Sequence, residues 1–128
     1  MPGVLIGGNM RIINNLPHTL RYGLVSAAEA YDRSQQSHGH HPTSYSQETL
    51  QRTREAFYKS LHQAVKASTP DTSLVPDLEA GFADFYEPRI SSHRANRTSN
   101  VAICNAAELE YDAMNKAREN RRDGGMSL

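Results

Sequence analysis

The amino-acid sequence predicts an all-α fold, a compact bundle of about four helices, from the spacing of its apolar residues and from its size. Apolar residues recur every three or four positions in four separate stretches, which places the members of each stretch on one face of a helix. The chain of 128 residues is about one domain long, and its 38% of apolar residues suffices for one lean core. The four apolar stripes are Leu16, Leu20, Leu24, Ala27 and Tyr31; Leu50, Phe57, Leu61 and Val65; Leu78, Phe82 and Phe85; and Cys104, Ala107, Tyr111 and Met114.

Residues 1–15 precede the helical pattern and predict a short β-hairpin or an arm. Two apolar runs, Val4-Leu5-Ile6 and Met10-Arg11-Ile12-Ile13, flank the turn-forming sequence Gly7-Gly8-Asn9. Strands this short are marginal on their own. The segment therefore packs on the helices, pairs with another copy of the chain, or stays loose, and the sequence leaves all three open.

The first helix is predicted to begin near Pro17, whose fixed backbone angle suits a first helical turn. Asn14 or Asn15 is its predicted N-cap, because a short amide side chain can accept a hydrogen bond from a free N–H of the first turn. The apolar periodicity stops where Ser, Gln and His begin to dominate. We therefore expect this helix to end at Arg33 or Gln35.

A polar loop is predicted over 34–46, with 37–45 as its flexible part. Ser44 and Gln47 stand three residues apart just before the second apolar stripe, which is the spacing of a capping box. The second helix is therefore expected to follow Ser44 and to reach about Ala67, where a Ser-Thr-Pro-Asp turn stops it.

The third helix is predicted between two prolines, opening near Pro76 and ending at Pro88. Asp77 and Glu79 would then lie in its first turn, where the helix dipole favours acidic side chains. Gly81 would lie inside the helix, at a cost of about 1 kcal/mol relative to alanine.

The stretch 89–100 is polar and is predicted to be irregular, and a fourth helix is predicted over about 100–123. Arg118, Arg121 and Arg122 would lie near its negative C-terminal end, and Gly124-Gly125 would stop it. The chain shows no internal repeat and no dividing linker, so 1–128 is expected to form a single helical domain.

Composition limits the location and the partners of the protein. The chain has 14 basic and 14 acidic residues, and this neutrality argues against a surface built wholly for nucleic acid or anionic lipid. It also makes self-association easier, so a homo-oligomer is expected. No stretch is apolar enough to span a membrane, and the single cysteine, Cys104, indicates a buried thiol in a reducing compartment. We therefore expect a cytoplasmic protein with no membrane partner.

The sequence carries no strong catalytic signature, and no cofactor is expected. His38, His40 and His41 could share a zinc, nickel or copper ion, but no Cys or carboxylate stands beside them, and solvated histidines are the simpler interpretation. An unfamiliar active site would be indicated by His62 or His93 beside a carboxylate in a cleft. The balance of these observations favours a protein that is not an enzyme.

Charge is segregated around the third stripe, where acidic residues without Lys or Arg are followed directly by arginines. This pattern predicts a non-catalytic protein–protein interaction module, of the adaptor, inhibitor or assembly-subunit type, that acts through a charged helical face. The predicted partner-binding residues are Asp77, Asp84, Glu87, Arg89, Arg94 and Arg97.

The alternative is a nucleic-acid-binding regulator. Arginine among small hydroxyl and amide side chains is typical of phosphate contacts, and a second basic cluster stands near the C-terminus. The residues predicted to bind nucleic acid are Arg94, Arg97, Arg118, Arg121 and Arg122.

Overall fold

The protein is a compact all-α bundle of four helices. The computed structural model describes residues 16–69, 73, 75–94, 99–107, 112, 116–117 and 119, with only the backbone of 92–94. Three helices are α1 (His18–His40), α2 (Ser44–Ser68) and α3 (Phe82–Arg94), and α4 begins at 100 and is described as helical over 100–107. None of the described helices is long and apolar enough to cross a membrane. The predicted hairpin or arm over 1–15 lies outside the described residues.

Aromatic side chains from three helices form the centre of the core. Phe57 and Tyr58 of α2 are fully buried, and the ring of Tyr31 on α1 has its centroid 5.8 Å from that of Phe57. Tyr86 of α3 stacks on Tyr58, with the two rings nearly parallel and their centroids 6.4 Å apart. Because each buried aromatic ring removes about 150–250 Å² from water, this cluster holds α1 and α3 against α2.

The apolar stripes predicted from the sequence supply the rest of the core. Tyr111 and Met114 of the fourth stripe lie outside the described residues. The buried members are Leu16, Leu24, Tyr31, Phe57, Leu61, Val65, Phe82, Cys104 and Ala107, and those packed against them are Leu20, Ala27, Leu50, Leu78 and Phe85. The fold class and the inward faces of α1 and α2 are thus confirmed, whereas the buried face of α3 also includes Tyr86 and Ile90, which the predicted stripe did not contain.

The start of α1 uses a backbone carbonyl. Pro17 is the N-cap residue, and its carbonyl oxygen accepts the N–H of Arg21 at 3.0 Å. Pro17 makes no side-chain capping bond, and the caps predicted at Asn14 or Asn15 lie outside the described residues.

The end of α1 lies beyond its predicted position. The helix continues to His40, so the predicted end at Arg33 or Gln35 is wrong. The predicted flexible loop over 37–45 is also wrong, because only the three residues 41–43 separate α1 from α2. The two longest helices therefore form a tight antiparallel hairpin.

Tertiary partners explain why polar residues continue α1. Ser34 is buried, and the side-chain oxygen of Gln35 accepts a hydrogen bond from Asn100 Nδ2 at 3.0 Å. His38 Nδ1 lies 2.8 Å from Ser46 Oγ, across the hairpin. Because these side chains find partners on α2 and α4, the weak helix propensity of Ser, His and Gly does not end the helix.

The capping box of α2 lies one residue earlier than predicted. Thr43 is the N-cap; its Oγ1 accepts the Ser46 N–H at 3.0 Å, and Ser46 Oγ accepts the Thr43 N–H at 2.9 Å. The predicted pair of Ser44 and Gln47 is therefore wrong. Ser46 replaces the usual Glu or Gln because its hydroxyl can also donate, and it reaches the carbonyl oxygen of His41 at 3.2 Å.

The start of α3 is set from another helix. The predicted opening near Pro76 is wrong, because α3 begins at Phe82. The N–H of Phe82 donates to Glu55 Oε1 on α2 at 2.9 Å, which satisfies one of the free donors of the first turn. Gly81 precedes the helix and does not lie inside it, and its φ of 76° is a conformation that a side chain would strain.

Pro88 lies inside α3 and does not end it. The helix continues to Arg94, so the irregular stretch predicted to begin at Arg89 is helical at its start. A proline in a helix interior costs about 3 kcal/mol, because it removes one hydrogen bond and its ring crowds the preceding turn. Arg89 Nη1 donates to the carbonyl oxygen of Phe85 at 2.7 Å beside the break, and Ile90 is buried in the core. These contacts offset the cost of the proline.

A carboxylate of α1 holds the start of α4. The backbone N–H of Asn100 donates to Asp32 Oδ1 at 2.9 Å, and its side-chain Nδ2 donates to the same oxygen. Asn100 is only 1% exposed, so water cannot replace Asp32 as the partner. The first turn of α4 is thereby tied to α1, and it carries Ile103 and Cys104 into the core.

We predict that Asp32→Ala lowers the free energy of unfolding by about 1–3 kcal/mol, because it leaves the buried Asn100 donors without their acceptor. Urea denaturation followed by circular dichroism measures the change. Glu29→Ala is the matched control, since Glu29 is exposed one turn earlier on α1, and it should change stability by less than about 0.5 kcal/mol. Equal effects of the two substitutions would contradict the capping role of Asp32.

Candidate functional site

His62 is one of the two histidines that would indicate an unfamiliar active site if a carboxylate lay beside it in a cleft. It is buried between α2 and α3, and its Nδ1 lies 2.7 Å from the hydroxyl of Tyr86. Its ring centroid lies 5.3 Å from that of Phe82. The partner of His62 is therefore a tyrosine within the core, and the side chain of His93, the other indicator, lies outside the described residues.

Burial is the main cause that lowers the pKa of His62, and the positive charge of Lys66 lowers it further. Asp77 and a hydrogen bond to the backbone of Pro76 act in the opposite direction but do not outweigh burial. The neutral imidazole is therefore the form that fits between α2 and α3, and it serves as a hydrogen-bonding element of the core.

A second buried tyrosine links the core to charged groups at the surface. The hydroxyl of Tyr58 donates to Glu87 Oε1 at 2.9 Å, and the same oxygen lies 3.7 Å from Arg54 Nε. Glu87 is thus half-buried and bonded to α2, although the sequence predicted it as a partner-binding residue.

Three other carboxylates are exposed beside the start of α3. Asp77 and Glu79 lie in the segment that leads into the helix, and Asp84 lies in its first turn. We call Asp77, Glu79 and Asp84 the acidic segment. Glu79 was predicted to lie in the first helical turn and instead precedes the helix, but it belongs to the same exposed group. Both Asp77 and Asp84 were predicted partner-binding residues.

The arginines predicted to bind a partner or a nucleic acid are only partly placed by the structure. Arg89 is exposed, and its guanidinium carbon lies 3.7 Å from the centroid of the Phe85 ring, a cation–π contact. Arg94 is the last residue of α3, and its side chain lies outside the described part. Outside the described residues altogether are Arg97, Arg118, Arg121 and Arg122.

Two of the three clustered histidines at the hairpin turn lie in a helix and not in the predicted loop. His38 and His40 belong to the last turn of α1, and His41 is its C-cap residue. Positive or hydrogen-bonding side chains suit this end of a helix, where backbone carbonyls have no helical partner. Within the described ranges, no group of three or more His, Cys, Asp or Glu side chains could hold a metal ion.

Cys104 is a structural thiol. It is fully buried, and its Sγ donates to the carbonyl oxygen of Asn100 at 3.3 Å. Burial, with a smaller contribution from the negative charge of Asp32, raises the pKa of this thiol to about 12. The thiolate is the nucleophilic form of cysteine, and both the burial and the raised pKa of Cys104 disfavour it at neutral pH.

Comparison of the chain with protein-family models, with curated proteins and with solved structures finds no significant match. The arguments for function therefore come from the chain's own geometry. That geometry separates carboxylates bonded within the fold from the exposed carboxylates of the acidic segment.

We predict that folding stability falls on acidification because of His62. Its pKa is lower in the folded chain than in the unfolded chain, so its contribution is fully present above about pH 6.5 and is lost as the pH falls through the folded-state pKa. Urea denaturation at a series of pH values should show a steeper loss for the natural chain than for His62→Gln. The control is His18→Gln, which changes an exposed histidine of α1 and should show the same loss of stability with falling pH as the natural chain. The same loss in His62→Gln would show that His62 is not its cause.

We also predict that Cys104 resists thiol reagents in the folded protein. A coloured disulfide reagent at mildly alkaline pH should react with native protein at least about a hundredfold more slowly than with protein in denaturant, because the thiol is buried and its pKa is raised. Reaction of the native protein at the rate of the denatured protein would show that Cys104 is accessible.

Proposed function

We propose that this chain is a non-catalytic protein–protein interaction module that binds a basic protein surface through the acidic segment. The observation that carries the proposal is the contrast between its carboxylates. Asp77, Glu79 and Asp84 are exposed, whereas Asp32, Glu55 and Glu87 accept hydrogen bonds inside the fold.

The charge around the acidic segment supports a basic partner. No Lys or Arg occurs between Asp71 and Glu87, although the whole chain has equal numbers of acidic and basic residues. Local excess charge of one sign attracts a partner of the other sign and raises the rate of association. The same negative charge repels the phosphates of nucleic acid, so a nucleic-acid partner would have to approach from another side.

The start of α3 gives Asp84 of the acidic segment a fixed position. Glu55 holds the first N–H of α3, and Phe82 and Ala83 beside it are buried. Asp84 stands in the first turn of this anchored helix, and a rigid binding element loses little entropy when it binds. Arg89 is exposed further along α3, and Arg94 and Arg97 follow it in the sequence, so we propose these arginines as the basic counterpart of the acidic segment.

The test removes three negative charges from the acidic segment. We expect the variant Asp77→Asn, Glu79→Gln, Asp84→Asn to lose the proteins that the natural chain captures stoichiometrically from a native lysate. The matched control neutralises three exposed carboxylates elsewhere, Glu29→Gln, Glu48→Gln and Glu119→Gln, and should keep those proteins. Both variants have the same net charge, so a difference between them reports on position.

Two further measurements complete the test. The association rate of a captured protein should fall by about tenfold or more between low and physiological salt, because charge steers the encounter. Nuclease treatment should leave the captured proteins in place. Equal capture by both variants would refute the role of the acidic segment, and capture that depends on nucleic acid would favour a nucleic-acid-binding regulator that uses the arginines.

A further inference from the structure

A groove lies on the hairpin, at the end opposite to the start of α1. It has a volume of about 630 Å³ and runs between the second half of α1 and the first half of α2. Sites for small molecules usually measure about 300–1,000 Å³, so the groove has room for a metabolite-sized ligand. Arg33, Ser37, His41 and Tyr45 are among its lining residues.

The hydroxyls of Ser46 and Thr53 in the groove are used by the fold, whereas the buried Thr49 Oγ1 has no hydrogen-bond partner among the described residues. Thr43 Oγ1 and Ser46 Oγ form the capping box of α2. The hydroxyl of Thr53 donates to the carbonyl oxygen of Thr49 at 2.9 Å. The hydroxyls of Ser46 and Thr53 therefore already donate within the fold, whereas Thr43 Oγ1 acts there as an acceptor.

The groups at the edge of the groove are free. Within the part of the chain that the structure describes, the Arg33 guanidinium makes no ion pair or hydrogen bond. The same is true of the side chains of Ser37, His41 and Tyr45, and each of the four residues is exposed. Arg54 and Arg89 differ from Arg33, since Arg54 contacts a carboxylate and Arg89 contacts a carbonyl and a ring.

The charge of the groove selects an anion. Its described lining residues include no Asp or Glu, and Arg33 supplies a permanent positive charge. The C-cap of α1, His41, and the N-cap of α2, Thr43, both line the groove, so the opposite ends of two helix dipoles meet there and Arg33 is the source of its net charge. A guanidinium with hydroxyl and imidazole donors is the set of side chains that binds phosphate oxygens.

We propose that this groove binds the phosphate group of a small phosphomonoester. Arg33 pairs with the phosphate, and Ser37, His41 and Tyr45 donate hydrogen bonds to its oxygens. The volume exceeds what a phosphate alone would fill, so the rest of the ligand lies along Ala30 and the exposed ring of Tyr45. This site is separate from the acidic segment, and the two proposals stand or fall independently.

Phosphate and phenyl phosphate are the probes, and amide chemical shifts measured by NMR are the readout. We expect saturable shift changes at the groove, with dissociation constants of about 0.1–10 mM and with phenyl phosphate binding more tightly than phosphate. Phenol, which lacks the phosphate, should leave these amides unchanged. Sodium chloride at matched ionic strength should not reproduce the effect.

Substitutions then locate the binding site. Arg33→Met should weaken the binding of phenyl phosphate by at least about tenfold, and Arg33→Lys should weaken it less, because a lysine keeps the charge but loses the fork of donors. Arg52→Met is the matched control, since Arg52 is an exposed arginine of α2 that does not line the groove, and it should bind as the natural chain does.

Three results would overturn the proposal. One is a lack of saturation with both probes up to about 50 mM, well above the expected range. Another is equal binding of phenyl phosphate by Arg33→Met and by the natural chain, when the amide spectra of both show that they are folded. The third is an equal response to phenol and phenyl phosphate, which would show that the ring, and not the phosphate, is bound.

Discussion

The bundle depends on two carboxylates of the α1–α2 hairpin that reach the first turns of the other two helices. Asp32 of α1 accepts hydrogen bonds from Asn100 at the start of α4, and Glu55 of α2 accepts the N–H of Phe82 at the start of α3. The first turn of a helix has free N–H groups and a partial positive charge, so a carboxylate there is a favourable partner on both counts. Each bond crosses between helices, and it therefore fixes where a helix begins and also which neighbour it packs against.

The same distinction between bonded and free charges separates the structural residues from the candidate binding residues. Asp32, Glu55 and Glu87 serve the packing of α3 and α4 on the hairpin. The carboxylates of the acidic segment and the guanidinium of Arg33 are exposed on the described part of the chain. The two proposed surfaces have opposite charge and lie on different elements, so a neutral chain can present both an acidic and a basic site. Neutrality of the whole chain therefore says little about the charge that any one partner meets.

Features that repeat along a helix could be predicted from the sequence, whereas features that a single distant contact determines could not. Leu24 and Tyr31 on α1, and Phe57 and Leu61 on α2, were placed on buried faces correctly because burial acts on every turn of an amphipathic helix. Helix ends were often misplaced. The sequence of the polar end of α1 predicts a loop, but in the structure Asn100 and Ser46 supply hydrogen-bond partners for its side chains. Pro88 predicts the end of α3, but the helix continues beyond it and buries Ile90. The acidic residues near Asp77 were found from composition, whereas the groove at Arg33 could not be, because it exists only where α1 and α2 lie side by side.

By itself the sequence determined the fold class, the number of helices, the faces that α1 and α2 bury and the burial of Cys104. These properties follow from the periodicity of apolar side chains and from the burial of one thiol on an apolar stripe, both of which are local in the chain. Only the tertiary structure decided where α1 ends, where α3 begins and ends, which carboxylates are consumed by the fold, and which charged groups stay exposed. Those outcomes depend on single hydrogen bonds between residues as far apart as Asp32 and Asn100. A pairing of that kind leaves no periodic trace in one sequence, because its two members are brought together only when the helices pack.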